Sequence, residues 1–354
     1  MASSSDAPRN ASTALGAFRA GLVRVRRARA VWLGTWALTL VLTFTVSFAL
    51  RDMIATHLND SAVADRVADG VDWDWWQEFQ EQATAIGTTF VPSIIGGAAP
   101  LKNLSDIADN ATIPTGLLPL LVLWLLTWSF ASGGIVDRLA RDRPVGGQAF
   151  AGACGRYGLR LARLGLAAWA TYWVLFTYVH YWIFSVGYAA LVRDLTSERT
   201  AFLIRVGGYV LFLAVLLPVN VVFDYARIRL VVEDRRSVLF ALAASLRFIG
   251  RHLKVVSGLY ALNTLLFLVI VGLYVALAPG ARNDGGRLWL AVGIGQAYVL
   301  ARVVLKLQFI ASQIGVFQQA LASEVLVAAP APEWPESPAA EFIRSADDAS
   351  PVSR

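Results

Sequence analysis

Residues 238–264 read VLFALAASLRFIGRHLKVVSGLYALNT, and the same plan occurs twice earlier in the chain. Residues 14–40 read ALGAFRAGLVRVRRARAVWLGTWALTL, and residues 147–173 read GQAFAGACGRYGLRLARLGLAAWATYW. Each copy is an Ala/Gly-rich, Arg-studded stretch that runs straight into an apolar segment. Aligned on Trp36, Trp169 and Tyr260, each followed by Ala, the copies bring Arg27, Arg160 and Arg251 into phase. Ala20, Ala153 and Ala244 fall in phase as well. The expected fold is an all-α polytopic membrane protein, with three pseudo-repeated hairpins each preceded by an amphipathic in-plane helix. Copies of one orientation, odd in number, imply a quasi-threefold bundle, whereas inverted-repeat transporters relate halves of opposite topology.

Composition supports this class. Of 354 residues, 56% are hydrophobic and 16% charged, with a mean hydropathy of +0.55. A soluble domain carries about 25% charged residues. Six segments have the roughly 20 apolar residues that a crossing needs: Val31–Leu50, Leu117–Val136, Gly165–Leu191, Ala201–Phe223, Val255–Leu277 and Leu288–Leu305. The second is the weakest, because it ends in Ser132-Gly-Gly. Residues 1–30 form a basic amphipathic segment, 31–324 the six-span domain, and 325–354 a Pro/Ala/acid-rich tail that reads as disordered.

Arginine placement orients the spans. Arg19, Arg24, Arg26, Arg27 and Arg29 precede the first; the connections between spans two and three and between four and five are similarly basic. The remaining connections are poor in positive charge or balanced by acid. The positive-inside rule then puts both termini in the cytoplasm. The first apolar stretch is long and lacks a small-x-small cleavage site, so it reads as a retained anchor. The net charge of +6 lies beside apolar segments, as topology signals facing anionic lipid do, and nucleic acid is not expected as a partner. Cys154 is the single cysteine, which excludes an intramolecular disulfide.

The basic stretches carry the first set of candidates. From Ser237 to Lys254, Leu239, Leu242, Leu246 and Ile249 recur at helical spacing, with the arginines mostly elsewhere. Such a helix is too polar to span and suits the interface, its arginines reaching lipid phosphates. Arg27, Arg160 and Arg251 are the candidate headgroup contacts. Asp234 and Asp142 precede two of these helices and are expected to favour their positive ends.

The connection from Arg51 to Gly116 is an extracytoplasmic insert. Its aromatics Trp73, Trp75, Trp76 and Phe79 are expected as interfacial anchors; the alternative is a platform for a ligand or an envelope partner. The stretch from Phe90 to Leu101 is apolar, short and broken by Pro and Gly, and reads as interfacial or re-entrant.

Polar residues within spans are the second set: His180, Asn263, Gln296, Arg302, Lys306 and Asp224. His180, four residues from Phe176, reads first as a packing histidine. Pro218 and Asn220 lie near the end of the fourth span. Arg302 and Lys306 share a face; either they snorkel to the cytoplasmic interface, which is favoured, or they face the interior with Asp224 as counter-ion.

Catalytic signatures such as H-E-x-x-H, G-x-S-x-G or a Walker loop do not occur in the sequence. No enzyme, cofactor or metal is expected. His57 with Asp60 makes at most a weak pair of ligands.

Residues 70–79 (GVDWDWWQEF) and 223–237 (FDYARIRLVVEDRRS) resemble a group of uncharacterised bacterial six-span integral membrane proteins. The elbow-plus-hairpin layout is similar to the membrane domain attached to some glycerophosphodiester phosphodiesterases. That resemblance implies the fold and a bacterial inner-membrane location. It carries over no catalytic residue. The expected function is a non-enzymatic membrane component that organises anionic lipids or partner proteins. The alternative is a small-solute or lipid transporter with a path through the polar interior.

Overall fold

The computed structural model describes residues 13–59, 61–69, 72–90, 98–278 and 286–328. The described residues are helical, with no strand among them. The helices are α1 (Ala14–Arg27), α2 (Arg29–Leu58), α3 (Ala64–Asp69), α4 (Trp73–Gln82), α5 (Ala98–Ala108) and α6 (Leu118–Arg141). They continue with α7 (Gly147–Val174), α8 (Tyr188–Val192), α9 (Glu198–Val232), α10 (Val238–Arg251), α11 (Leu253–Leu277) and α12 (Gly286–Ala328). Two π-helical turns, Leu175–His180 and Trp182–Gly187, join α7 to α8. The chain divides into a unit of residues 1–316 and a second of 317–354. The tail from 329 onward lies outside the described residues.

Six helices are long and apolar enough to cross a membrane: Arg29–Leu58, Thr115–Arg141, Gly147–Val192, Glu198–Val232, Leu253–Leu277 and Trp289–Ser323. The protein is an all-α membrane protein. Consecutive crossing helices alternate in direction. Tyr260 packs on Phe309, with ring centroids 4.4 Å apart, and Tyr274 on Tyr298 at 4.1 Å, so α11 and α12 run antiparallel. The arginine-rich connections gather at one end, the arginine end, and the described residues of the insert, 61–69, 72–90 and 98–116, at the other, the insert end.

The Ser132-Gly133-Gly134 stretch does not end its span. It is buried inside α6, which runs on to Arg141. The glycines are there for close approach. A Cβ on Gly134 would stand 2.6 Å from the Cys154 sulfur, and one on Gly158 would stand 2.6 Å from the Phe130 ring. The α6–α7 hairpin is thereby zipped together. The second copy of the repeat also stays unbroken: α7 runs from Gly147 through Gly165 without interruption. In the other two copies a single non-helical residue separates elbow from span, Ala28 at φ −97° and His252 at φ −118°. Leu161, in phase with both, is instead buried in continuous helix.

Burial is concentrated at the arginine end. Ile135, Val136 and Leu139 of α6 meet the same core as Tyr225, Ile228 and Leu230 of α9, all nearly inaccessible. By contrast α2 buries no residue, and its Val41, Phe44 and Phe48 are exposed. Apolar side chains left open on a crossing helix are in contact with hydrocarbon, where burial against protein brings no hydrophobic gain.

Candidate functional sites: the arginine end and the bundle cavity

The elbow helices α1 and α10 turn faces with small residues to the protein. In α10 the buried residues are Ala241, Ser245 and Phe248. Two leucines of the apolar stripe are outward, Leu239 76% exposed and Leu246 63%, while Leu242 and Ile249 are half-buried. The face turned to the protein is the one with the small residues Ala241 and Ser245, which allow closer helix approach. In α1 the pattern repeats, with Ala17 and Gly21 inward and Leu22 and Val23 outward. A Cβ on Gly21 would meet the Ser312 backbone nitrogen of α12 at 2.8 Å. Exposed arginines lie beside the outward apolar residues: Arg26 on α1, Arg163 on α7 and Arg247 on α10.

The three in-phase arginines are not equivalent. Arg27 is 64% exposed at its side chain and reaches the Asp142 carboxylate at 3.5 Å. Arg160 is only 18% exposed and donates to Asp234 Oδ1 at 2.5 Å and to the Asp234 and Arg235 carbonyls at 3.3 Å. Arg156 holds the other Asp234 oxygen at 2.5 Å. Thus Arg27 and Arg160 each grip the aspartate that precedes the next elbow. Asp142 and Asp234 both adopt left-handed backbone, φ 47° and 52°, a conformation that Asp tolerates better than most residues. This corrects their expected role. Asp142 caps the end of α6, and the elbow after Asp234 is capped by Ser237, whose hydroxyl accepts from the Phe240 amide. The Arg160 hydrogen bond, with Arg156, holds the Asp234 carboxyl below the usual carboxylate range despite partial desolvation. Arg251 ends α10 and is exposed.

Asp224 anchors a buried polar node between α9, α11 and α12. Its Oδ2 accepts from the Tyr260 hydroxyl at 2.6 Å and from Gln313 Nε2 at 3.3 Å, and Gln313 also donates to the Tyr260 oxygen at 2.8 Å. Arg227 stands 3.5 Å from its other oxygen. Asp224 therefore is not the counter-ion of Arg302 or Lys306. Gln313 lies two helical turns beyond Lys306, about 10 Å along the axis, and it is Gln313 that reaches the carboxylate. Beside this node, the Tyr172 hydroxyl donates to Asn220 Oδ1 at 3.2 Å.

Arg302 and Lys306 line a cavity of about 610 Å³ between α2, α6, α11 and α12. The Lys306 ammonium sits 3.4 Å from the Trp128 ring centroid and 4.9 Å from that of Trp124. These two rings, four residues apart, are stacked. Arg302 lies over the Tyr298 ring at 5.7 Å. Asn263 also lines the cavity; its amide donates to the Leu259 carbonyl at 2.9 Å, and its Oδ1 is buried without a partner among the described residues. Gln296 and His180 do not line it. No family model, curated protein or solved structure matches the chain.

His180 belongs to the insert end. Its Nε2 is 2.9 Å from the Ala108 carbonyl, and its ring packs on Phe184 and Phe212. Next to it, Asp109 receives Arg205 at 3.0 Å and the Tyr209 hydroxyl, while Asn110 donates to the Phe176 carbonyl at 3.3 Å. These contacts fasten the end of α5 to α9 and to the π-helical turn. The Tyr209 hydroxyl and Arg205 hold the Asp109 carboxyl below the usual carboxylate range.

The insert aromatics divide. Trp73 is 52% exposed, but Trp75 is 5% exposed and Phe79 is buried with it. Trp75 Nε1 donates to His57 Nδ1 at 3.1 Å, and both rings pack on His57 and Phe90. Trp76 is half-buried and donates to the Phe90 carbonyl. The i,i+4 pair Trp75 and Phe79 is therefore not a membrane-interface anchor; it is the core of the insert, folded on the end of α2. Residues 91–97 of the interfacial or re-entrant stretch, and Asp60, lie outside the described residues.

Trp124 and Trp128, Tyr260, and the Asp109–Arg205–Tyr209 cluster join the candidates only through the structure. The i,i+4 spacing of Trp124 and Trp128 is visible in the sequence; the lysine they face is not. The Asp109 cluster has none, since Asp109 lies about a hundred residues from Arg205 and Tyr209.

Proposed function

We propose that this protein is a non-enzymatic component of the bacterial inner membrane, with both termini cytoplasmic, that organises anionic lipid around its elbow helices. One observation carries the reading: α10 leaves Leu239 and Leu246 outward, next to the exposed Arg247. An outward apolar stripe flanked by arginines matches the interface, with acyl chains below and phosphates above. The arginine content of that end supports its cytoplasmic orientation. Arg27 remains available to headgroups as an exposed residue, whereas Arg160 is committed to Asp234.

The test is to purify the protein in native-lipid nanodiscs and to identify the co-purifying lipids by mass spectrometry. The comparison is with a variant carrying Arg26→Gln, Arg163→Gln and Arg247→Gln. The expected result is loss of anionic-lipid enrichment. An unchanged lipid profile in a folded variant overturns the proposal. A transport route through His180, Asn263, Gln296 and Arg302 is less well supported, because only Asn263 and Arg302 of that set share the cavity.

A further inference from the structure

We infer that the cavity between α2, α6, α11 and α12 is a binding site for an oxyanion carried on an apolar chain. The source is either the phosphate of an anionic phospholipid or the carboxylate of a fatty acid. The site is distinct from the elbow surfaces.

Charge is the first argument. Arg302 and Lys306 stand one turn apart on the same face of α12, both on the cavity wall, and no carboxylate lines it. Neither cation forms an ion pair among the described residues. Asp224 is already taken by Tyr260, Gln313 and Arg227. An ammonium at membrane depth is costly unless paired. The faces of Trp124 and Trp128 attract it through their quadrupoles, but they accept no ordinary hydrogen bond and leave its charge uncompensated. An anionic oxygen would supply what the protein omits.

Polarity along the axis is the second argument. α12 runs toward the arginine end, so Lys306 is the cation nearer that end and Val299 lies about 10 Å from it toward the insert end. Lys306 touches Trp128; on α2, α11 and α12 the lining includes Thr35, Asn263, Thr264 and Lys306 toward the arginine end, and the lining residue of each helix farthest toward the insert end is apolar: Leu42, Phe267 and Val299. A headgroup at Lys306 with its chain running past Leu42 and Phe267 has the polarity order of a lipid from the arginine-side leaflet. The cavity volume falls in the roughly 300–1,000 Å³ range of small-ligand sites, which fits one chain and its head. The guanidinium of Arg302, on an exposed residue over Tyr298, is placed to make a second charge-assisted bond.

The test uses the full chain in phosphatidylcholine nanodiscs. Separate arms add phosphatidylglycerol, palmitate or inorganic phosphate, and bound molecules are counted by native mass spectrometry. The expected result is retention of phosphatidylglycerol or palmitate that falls about tenfold or more in the Lys306→Gln, Arg302→Gln double variant, the scale of a lost charge-assisted contact. Lys306→Arg should preserve retention. Leu38→Trp, which fills the apolar part without touching charge, should abolish it. Retention in the phosphatidylglycerol arm identifies a lipid phosphate, and retention in the palmitate arm a fatty acid. Binding of inorganic phosphate alone, no retention in any arm, or retention at the wild-type level in the double variant overturns the inference. If the double variant does not fold, wild-type retention in Leu38→Trp overturns it equally. The Arg26, Arg163 and Arg247 variant should leave this retention intact, so failure here and failure of the elbow reading are separable.

Discussion

The arginine end and the insert end of this protein are held together by different means. At the arginine end, elements distant in sequence interlock: small residues admit close helix contact, and buried side chains from α6, α9, α11 and α12 share a core. Arg27 and Arg160 tie each elbow to the aspartate ahead of the next. At the insert end, a four-ring cluster of His57, Trp75, Phe79 and Phe90 organises the insert itself, and a few polar contacts around Asp109 and His180 moor it to the spans. Between the two ends, crossing helices such as α2 leave their apolar residues open. The contrast follows from the surroundings. Apolar burial drives association only where water is the alternative; at hydrocarbon depth, close packing and polar contacts must do it.

The sharpest way to break the comparison is at the insert's ring cluster. Trp75→Ala should cost about 3 kcal/mol of local stability, the scale of a large core truncation, and should expose α4 to proteolysis. Trp73→Ala, on the exposed side of the same helix, should leave the protease pattern unchanged. Equal effects of the two substitutions would contradict the division of the aromatics.

Next in size is the arginine end's reliance on small residues. Gly21→Ala places a Cβ against the backbone of Ser312, which has no flexible end to yield. A loss of about 1–3 kcal/mol is expected, as for overpacking, read as a lower thermal midpoint in detergent. Gly34→Ala meets nothing within 4 Å and should be neutral, or stabilising by up to about 1 kcal/mol through helix propensity. A drop in midpoint for Gly34→Ala would show that the start of α2 is packed after all.

The smallest effects distinguish the two ionic latches. Asp234→Asn should lower overall stability by about 1 kcal/mol, the upper range for a partly exposed pair. Asp109→Asn should leave the thermal midpoint nearly unchanged and speed hydrogen exchange in residues 98–110. Both carboxyls have lowered pKa values in the folded protein. Their contribution is therefore complete above the ordinary carboxylate value of about 4 and is lost as pH falls through the lowered value. Protection at residues 98–110, corrected for the intrinsic exchange rate at each pH, should be flat from neutral pH down to about pH 5 and should fall only under stronger acid. Protection already lost at pH 6 would contradict the Asp109 mooring.

Much of the fold is legible in the chain, because span length and arginine bias are local properties of composition. All six crossing segments, their alternation and the insert follow from runs of apolar residues and the charges that flank them. Periodicity leaves open the facing of each helix. A stripe such as Leu239, Leu242, Leu246 and Ile249 reports amphipathicity, but in a membrane protein an apolar face can turn to lipid as readily as to protein. Only the packed helices decide that Ala241 and Ser245 face inward. Pairings across long separations are equally invisible. Asp142 and Asp234 read locally as helix starts, and their left-handed backbone and distant arginines emerge only once α6 and α9 are placed beside α1 and α7. The same holds for Lys306, whose sequence allows either an interfacial or an interior position. Its setting on Trp124 and Trp128 is decided by α6 and α12 coming together, since contacts between helices depend on the whole bundle and not on any one segment.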